Sequence, residues 1–149
     1  MRFLADAMVG RLAKWLRALG FDTLYYRDGD DAGLLATAAA EGRVLLTRDT
    51  RLSRASLPAG SLLIQSDRVE DQIREVLRAY DLRPEGSGTR CLRCNTPLAP
   101  LSREAAVGRV PDFILTRHVT FRTCPACRRV YWPGTHRTRM AEVLARLCG

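Results

Sequence analysis

Residues 2–26, RFLADAMVGRLAKWLRALGFDTLYY, decide the fold. Arg2 to Ala5 reads as a short strand that ends at Asp6. From Val9 the apolar positions Val9, Leu12, Ala13, Leu16 and Leu19 follow helical spacing, and Gly20 supplies the stop. Phe21 to Tyr26 is a second strand, rich in aromatic and β-compatible residues.

The same alternation continues downstream. Asp30 can cap a helix that runs through Leu34, Leu35, Ala38 and Ala39 to Gly42. Val44 to Leu46 forms a third strand, followed by Thr47-Arg48-Asp49. Leu62 to Ile64 forms a fourth, closing at Asp67, and Val69, Ile73, Val76, Leu77 and Tyr80 mark a helix. Alternating strands and helices predict an α/β fold, with a parallel sheet joined by right-handed crossovers and flanked by helices. The polar, glycine-bearing run 84–90 reads as a linker between a domain over 1–83 and a second over 91–149. The second is expected to be small and β-rich, with Phe113 to Leu115 and Val119 to Thr123 as its extended core. A final helix near 137–147 carries Met140, Val143, Leu144 and Leu147 on one side.

Charge separates the two halves. Of 149 residues, 24 are basic and 16 acidic, a formal charge of +8. Residues 1–88 hold 13 of each sign, so the whole excess belongs to residues 89–149, with 11 basic and 3 acidic. Such asymmetry suggests that one half faces a polyanion. A genomic bias toward arginine accounts for Lys14 being the only lysine, but not for acids missing from one half. The longest uncharged stretch, Ala55 to Ser66, contains Pro58 and Gly60, which excludes a membrane-spanning helix. The apolar patch before Asp6 is too short for a signal-peptide core, so a cytoplasmic protein is expected.

Cys91, Cys94, Cys124 and Cys127 form two Cys-x₂-Cys pairs separated by 29 residues. Two intervening residues allow a tight turn to aim both thiolates at one ion, and a second turn completes a tetrahedron. A structural Zn²⁺ is expected, with iron in a rubredoxin-like site as the chemical alternative. Four thiolates and one Zn²⁺ together contribute −2, which still leaves that half at +6. Cys148 stands apart from the pairs.

Ligands in open α/β sheets gather beyond the carboxyl ends of the strands. Asp6, Asp49 and Asp67 follow strands one, three and four, and Asp30 and Asp31 open the helix after strand two. Crowded carboxylates repel one another unless a hard cation joins them, and Mg²⁺ or Mn²⁺ suits oxygen ligands. Such an ion would promote attack of water on a phosphodiester and offset charge on its oxygens. Plainer roles compete: Asp30 as a helix cap, Asp67 as a turn residue. Arg11, Lys14 and Arg17 share a helix face that could hold a nucleic-acid backbone or be merely solvated, and Trp15 reads as core. Neither a dinucleotide-binding glycine fingerprint nor a phosphate-binding loop is present, nor a serine nucleophile elbow.

The runs Phe3-Leu-Ala-Asp6, Gly10-Arg-Leu-Ala-Lys-Trp-Leu-Arg-Ala-Leu-Gly20-Phe-Asp22 and Leu45-Leu-Thr-Arg-Asp49 resemble the Mut-seven C-terminal RNase family. So do Arg90-Cys91-Leu-Arg-Cys94-Asn95, Val110-Pro111, Phe121, Cys124-Pro-Ala-Cys127 and Tyr131-Trp132-Pro-Gly-Thr-His136. The resemblance covers nearly the whole chain. It implies a PIN-like nuclease domain followed by a zinc ribbon, and RNA cleavage by a divalent metal on an acidic cluster. On that resemblance Asp6 and Asp49 match best, with Asp30 or Asp31 as a third acid and Asp67 as a fourth. The expected function is a metal-dependent ribonuclease whose basic ribbon binds RNA. Arg93, Arg109, Arg117, Arg122, Arg128, Arg129 and His136 are the phosphate candidates there, and Arg11 and Lys14 those of the first half. Trp132 or Tyr131 could stack on a base or pack in the core. The competing expectation is a non-catalytic RNA-binding or ribosome-associated module. A toxin of a toxin–antitoxin pair fits less well, because such small PIN proteins usually lack a ribbon.

Overall fold

The computed structural model describes residues 1–133 and 135–148, with side chains of the last helix described at 139 and 142–147 only. Four parallel strands, β1 (Arg2–Ala5), β2 (Asp22–Tyr25), β3 (Val44–Thr47) and β4 (Ser61–Leu63), lie in the order β2-β1-β3-β4. Each inner strand is buried on both faces, so alternate residues feed two separate cores. Phe3, Ala5, Val44 and Leu46 face α1 (Gly10–Ala18) and α4 (Val69–Ala79); Leu4 and Leu45 face α2 (Asp31–Glu41) and the single turn α3 (Thr50–Ser53). The result is three layers, helix on sheet on helix. Strand and helix alternate throughout, and between β3 and β4 the crossover is only the single turn α3, which the sequence did not predict.

The second half holds a three-stranded antiparallel sheet of β5 (Ala99–Leu101), β6 (Phe121–Thr123) and β7 (Val130–Tyr131), in the order β5-β6-β7. Two short helices, α5 (Arg103–Ala106) and α6 (Asp112–Arg117), interrupt it. The expected extended segment Phe113 to Leu115 is therefore helical. Pro111 suits a helix start, and Val110 with Ile114, four apart, enters the same small core while Phe113 stays exposed. A three-residue apolar run carries no period that could have told the two apart.

Chain order and packing diverge at the C-terminus. Helix α7 (Thr135–Cys148) follows the cysteines in sequence, yet Val143 is buried in the core of the parallel-sheet half, with Leu144 and Leu147 packed against it. Arg146 reaches Glu70 of α4 at 3.1 Å. The run 84–90 is docked as well. Gly88 donates its N–H to Ala18 O at 3.0 Å, and Arg90 Nε donates to Gly20 O at 3.2 Å. Gly20 has φ +96, and a Cβ there would lie 2.2 Å from the Gly86 carbonyl oxygen. Only glycine permits both that dihedral and that approach.

Candidate functional site

The strand order reverses between β1 and β3. The chain leaves β1 toward β2 on one side and returns to β3 on the other, and ligands of open α/β sheets gather beyond the carboxyl ends of strands at such a switch point. Asp6 and Thr47 are paired neighbours there: the Asp6 N–H donates to Leu46 O at 3.1 Å, and the Thr47 hydroxyl donates to Asp6 Oδ2. Thr47 Oγ1 also accepts the Asp49 N–H at 2.9 Å. One hydroxyl thus ties the acid after β1 to the backbone of the acid after β3. Asp6 is only 5% exposed, and its Oδ1 accepts the Met8 N–H at 3.0 Å as it caps the 3₁₀ turn Ala7–Val9.

Asp49 caps α3. Its Oδ1 accepts N–H bonds from Arg51 at 2.8 Å and Leu52 at 3.4 Å, and Arg51 Nη2 lies 3.5 Å from Oδ2. The Arg51 N–H, supported by that of Leu52 and by the guanidinium, holds the Asp49 carboxyl below the usual range, so it is ionised at neutral pH. The same guanidinium lies 3.9 Å from Asp31 and links the start of α2 to the site. Asp30 spends Oδ1 on the Gly33 N–H at 2.8 Å as the N-cap of α2. Asp67 lines a cleft with Ala7 to Arg11, Tyr25, Val69 and Gln72 at the head of α1. The five aspartates therefore share one end of the sheet more loosely than the sequence suggests. Among the described residues, only the four cysteines form a set of three or more ligand side chains drawn together as a metal site requires.

That cysteine set has its donor atoms within 4.8 Å of one another. In each pair the second cysteine donates its N–H to the first sulfur: Cys94 to Cys91 at 3.3 Å and Cys127 to Cys124 at 3.4 Å. Tyr131 Oη accepts the Leu92 N–H and donates to Cys91 Sγ, both at 3.1 Å. Burial opposes the Cys91 thiolate, but the Tyr131 hydroxyl and the N–H groups of Cys94 and Arg93 bring its pKa down to about 6. Cys94, hydrogen-bonded to Cys127, is pushed up to about 12. Four clustered sulfurs with backbone donors suit a tetrahedral metal such as zinc.

The cysteine module docks at the opposite end of the parallel sheet. Asn95, just after the first pair, lies in the left-handed region at φ 66 and is buried. Its Oδ1 accepts the Thr23 N–H at 2.9 Å, and its Nδ2 donates to Asp22 Oδ1 at 2.7 Å, at the start of β2. Arg17 is half-buried rather than solvated. It donates to the carbonyls of Leu92 at 3.0 Å, Arg93 at 3.1 Å and Thr23 at 2.8 Å. Its pKa is lowered by that burial. Buried Arg43 holds Asp22 at 2.7 Å from the other side.

A family model for the Mut7-C RNAse domain matches residues 1–144. The chain belongs to that family. The matched span of the Mut7-C RNAse domain takes in the sheet, the cysteine centre and most of α7. Membership points to a nuclease role with RNA as the substrate class. Comparisons with curated proteins and with solved structures give no match.

The arginines expected on RNA divide by duty. Arg122 Nη1 donates to Gly88 O at 2.8 Å, and Arg109 Nη2 to Arg128 O at 2.7 Å and Thr123 Oγ1 at 3.1 Å. Arg117 lies over the Phe113 ring at 5.8 Å. Arg93, Arg128, Arg129, Arg11 and Lys14 are exposed, and the His136 side chain lies outside those described. Sequence reasoning missed Thr47, Arg51 and Asn95. The Thr-x-Asp spacing after β3 and the asparagine directly behind a Cys-x₂-Cys turn were their signals.

Proposed function

We propose that the protein is a metal-dependent ribonuclease that hydrolyses RNA at the rim carrying Asp6 and Asp49. The observation that carries this reading is the hydrogen-bonded unit of Asp6, Thr47 and Asp49 beyond the carboxyl ends of β1 and β3, where the strand order reverses. Two oxygen-donor side chains are enough for a Mg²⁺ or Mn²⁺ ion that keeps several waters, whereas an all-protein cage would need more. Asp6 and Asp49 would hold such an ion, with Asp31 and Asp67 as the acids nearest to extending the set. When bound, the ion supplies Lewis acidity toward a phosphate oxygen and a water that ionises more easily.

The remaining work belongs to the chain itself. Thr47 and the Met8 N–H fix the Asp6 carboxylate from both oxygens, so it needs no reorganisation when substrate arrives. Arg51, largely exposed between Asp31 and Asp49, can turn toward a phosphate as RNA enters. The cysteines carry structural zinc, and the basic module supplies sequence-independent affinity through phosphates.

The test is cleavage of labelled single-stranded RNA in Mn²⁺. Asp6→Asn and Asp49→Asn are each expected to lower the rate by at least about a hundredfold while RNA binding persists. Cleavage that survives both substitutions would overturn the proposed site. RNA binding without any cleavage would assign the non-catalytic module instead.

A further inference from the structure

Behind the second cysteine pair, Arg109, Arg128, Arg129, Val130, Tyr131 and Trp132 line an open cleft of about 330 Å³. Arg128 and Arg129 are exposed, and none of the three arginines makes an ion pair among the described residues. Arg128 stands at φ 66, the conformation Asn95 adopts behind the first pair. Asparagine suits that backbone and a long cationic side chain does not. At Asn95 the side chain is consumed in docking. At Arg128 it projects beside the cleft, while Arg109 braces the Arg128 carbonyl from below. A disfavoured residue in an over-determined turn points to a use for its side chain. Trp132, half-buried, adds a flat apolar surface to the same cleft.

We propose that this cleft is an anchoring subsite for single-stranded RNA, with backbone phosphate on Arg128 and Arg129 and a base against Trp132. The choice of RNA rests on the ribonuclease reading above. Single strands are favoured because a paired base cannot leave its helix to stack on a side chain. The subsite is remote from the cleavage rim. Trp132 also lines a groove with Ala18 at the far end of α1, whereas α1 begins beside Asp6. Nine helical residues span about 13 Å, with Arg11 and Lys14 exposed along the way. A strand anchored at Trp132 must run the length of α1 before it reaches the rim, so anchoring serves only RNA several nucleotides long.

The experiment uses the full zinc-loaded chain and fluorescein-labelled oligouridylates of about 4 and about 20 nucleotides, without Mg²⁺ or Mn²⁺. The double variant Arg128→Asn with Arg129→Gln keeps the left-handed turn and removes both charges. It is expected to weaken binding of the longer RNA at least about tenfold and to lower the salt slope by about one. Trp132→Leu, which keeps an apolar side chain against the small core, is expected to weaken it about tenfold, with duplex binding unmoved. Arg78→Ala, an exposed arginine of α4, serves as a single-charge control away from the cleft and leaves affinity unchanged. Wild-type zinc content in each variant establishes that the turns are intact. Wild-type affinity of the double variant for the longer RNA would overturn the proposal. A protein that binds through this cleft but cleaves nothing in Mn²⁺ keeps the subsite and loses the nuclease. One that cleaves but ignores all three substitutions does the reverse.

Discussion

Thr47 serves two partners with one hydroxyl, donating to Asp6 and accepting from the Asp49 N–H. Replacing it by valine preserves shape and strands a buried carboxylate without that donor. Thr47→Val is expected to lose about 1–3 kcal/mol of stability in urea unfolding, and cleavage should fall with it. Thr47→Ser, which keeps the hydroxyl, should recover most of both. Glu75 makes a comparable single-residue clamp on the loop before Asp67, accepting the N–H groups of Gln65 and Ser66 at 2.8 Å each. Burial pushes its carboxyl up, but those N–H bonds and nearby Arg48 outweigh that and hold it below the ordinary value. A depressed carboxyl pKa contributes stability above the unfolded value and loses it as pH falls through the folded one. Glu75→Gln should therefore cost about 1 kcal/mol at neutral pH. The gap between variant and wild type should close as pH falls below the ordinary glutamate range and through the lowered folded value, as thermal melts across pH would reveal.

At the scale of elements, β2 is an edge strand whose exposed N–H groups would otherwise invite another chain. The cysteine turn covers that edge through Asn95, held from beneath by Arg17. Asn95→Gly keeps the left-handed backbone and removes only the side chain. It leaves the buried Thr23 N–H unsatisfied, at a cost of about 1–3 kcal/mol, and amide exchange at Thr23 should accelerate while zinc remains bound. Helix α6 teaches the complementary lesson. Phe113 to Leu115 looks like strand in isolation, and only the packing of Val110, Ile114 and Leu115 on Phe121 makes it helix.

The whole molecule is more integrated than its composition implies. Val143, Leu144 and Leu147 pack on the α1 and α4 side of the parallel sheet, and Gly86 to Arg90 lie against Ala18 and Gly20. A chain truncated after Gly88 therefore loses three apolar side chains from its core, each worth up to about 1.5–3 kcal/mol. It should melt without a cooperative transition and bind a hydrophobic dye. Removal of the zinc proposed for the cysteines is expected to act over the same distance. Each chain is expected to hold one zinc by elemental analysis. Stripping it with a chelator should lower the melting midpoint and loosen Thr23 together with the cysteine turns, because ligand geometry and folding are coupled.

The parallel sheet, its three longer helices and the paired cysteines were legible in the amino acids because each rests on a local regularity: spacing of 3.6, short apolar runs, or two residues between thiols; the single turn α3 is too short to show a period. Asp6 and Asp49 were legible as acids placed after strands. What no local pattern encodes is which strands become neighbours. The order β2-β1-β3-β4 sets Asp6 beside Thr47, turns Asn95 and Arg17 into a clasp, and seats α7 on a core built by Phe3 to Leu77. Those are contacts between distant parts of the chain, fixed by the burial of two sheet faces at once. Tertiary packing alone decided them.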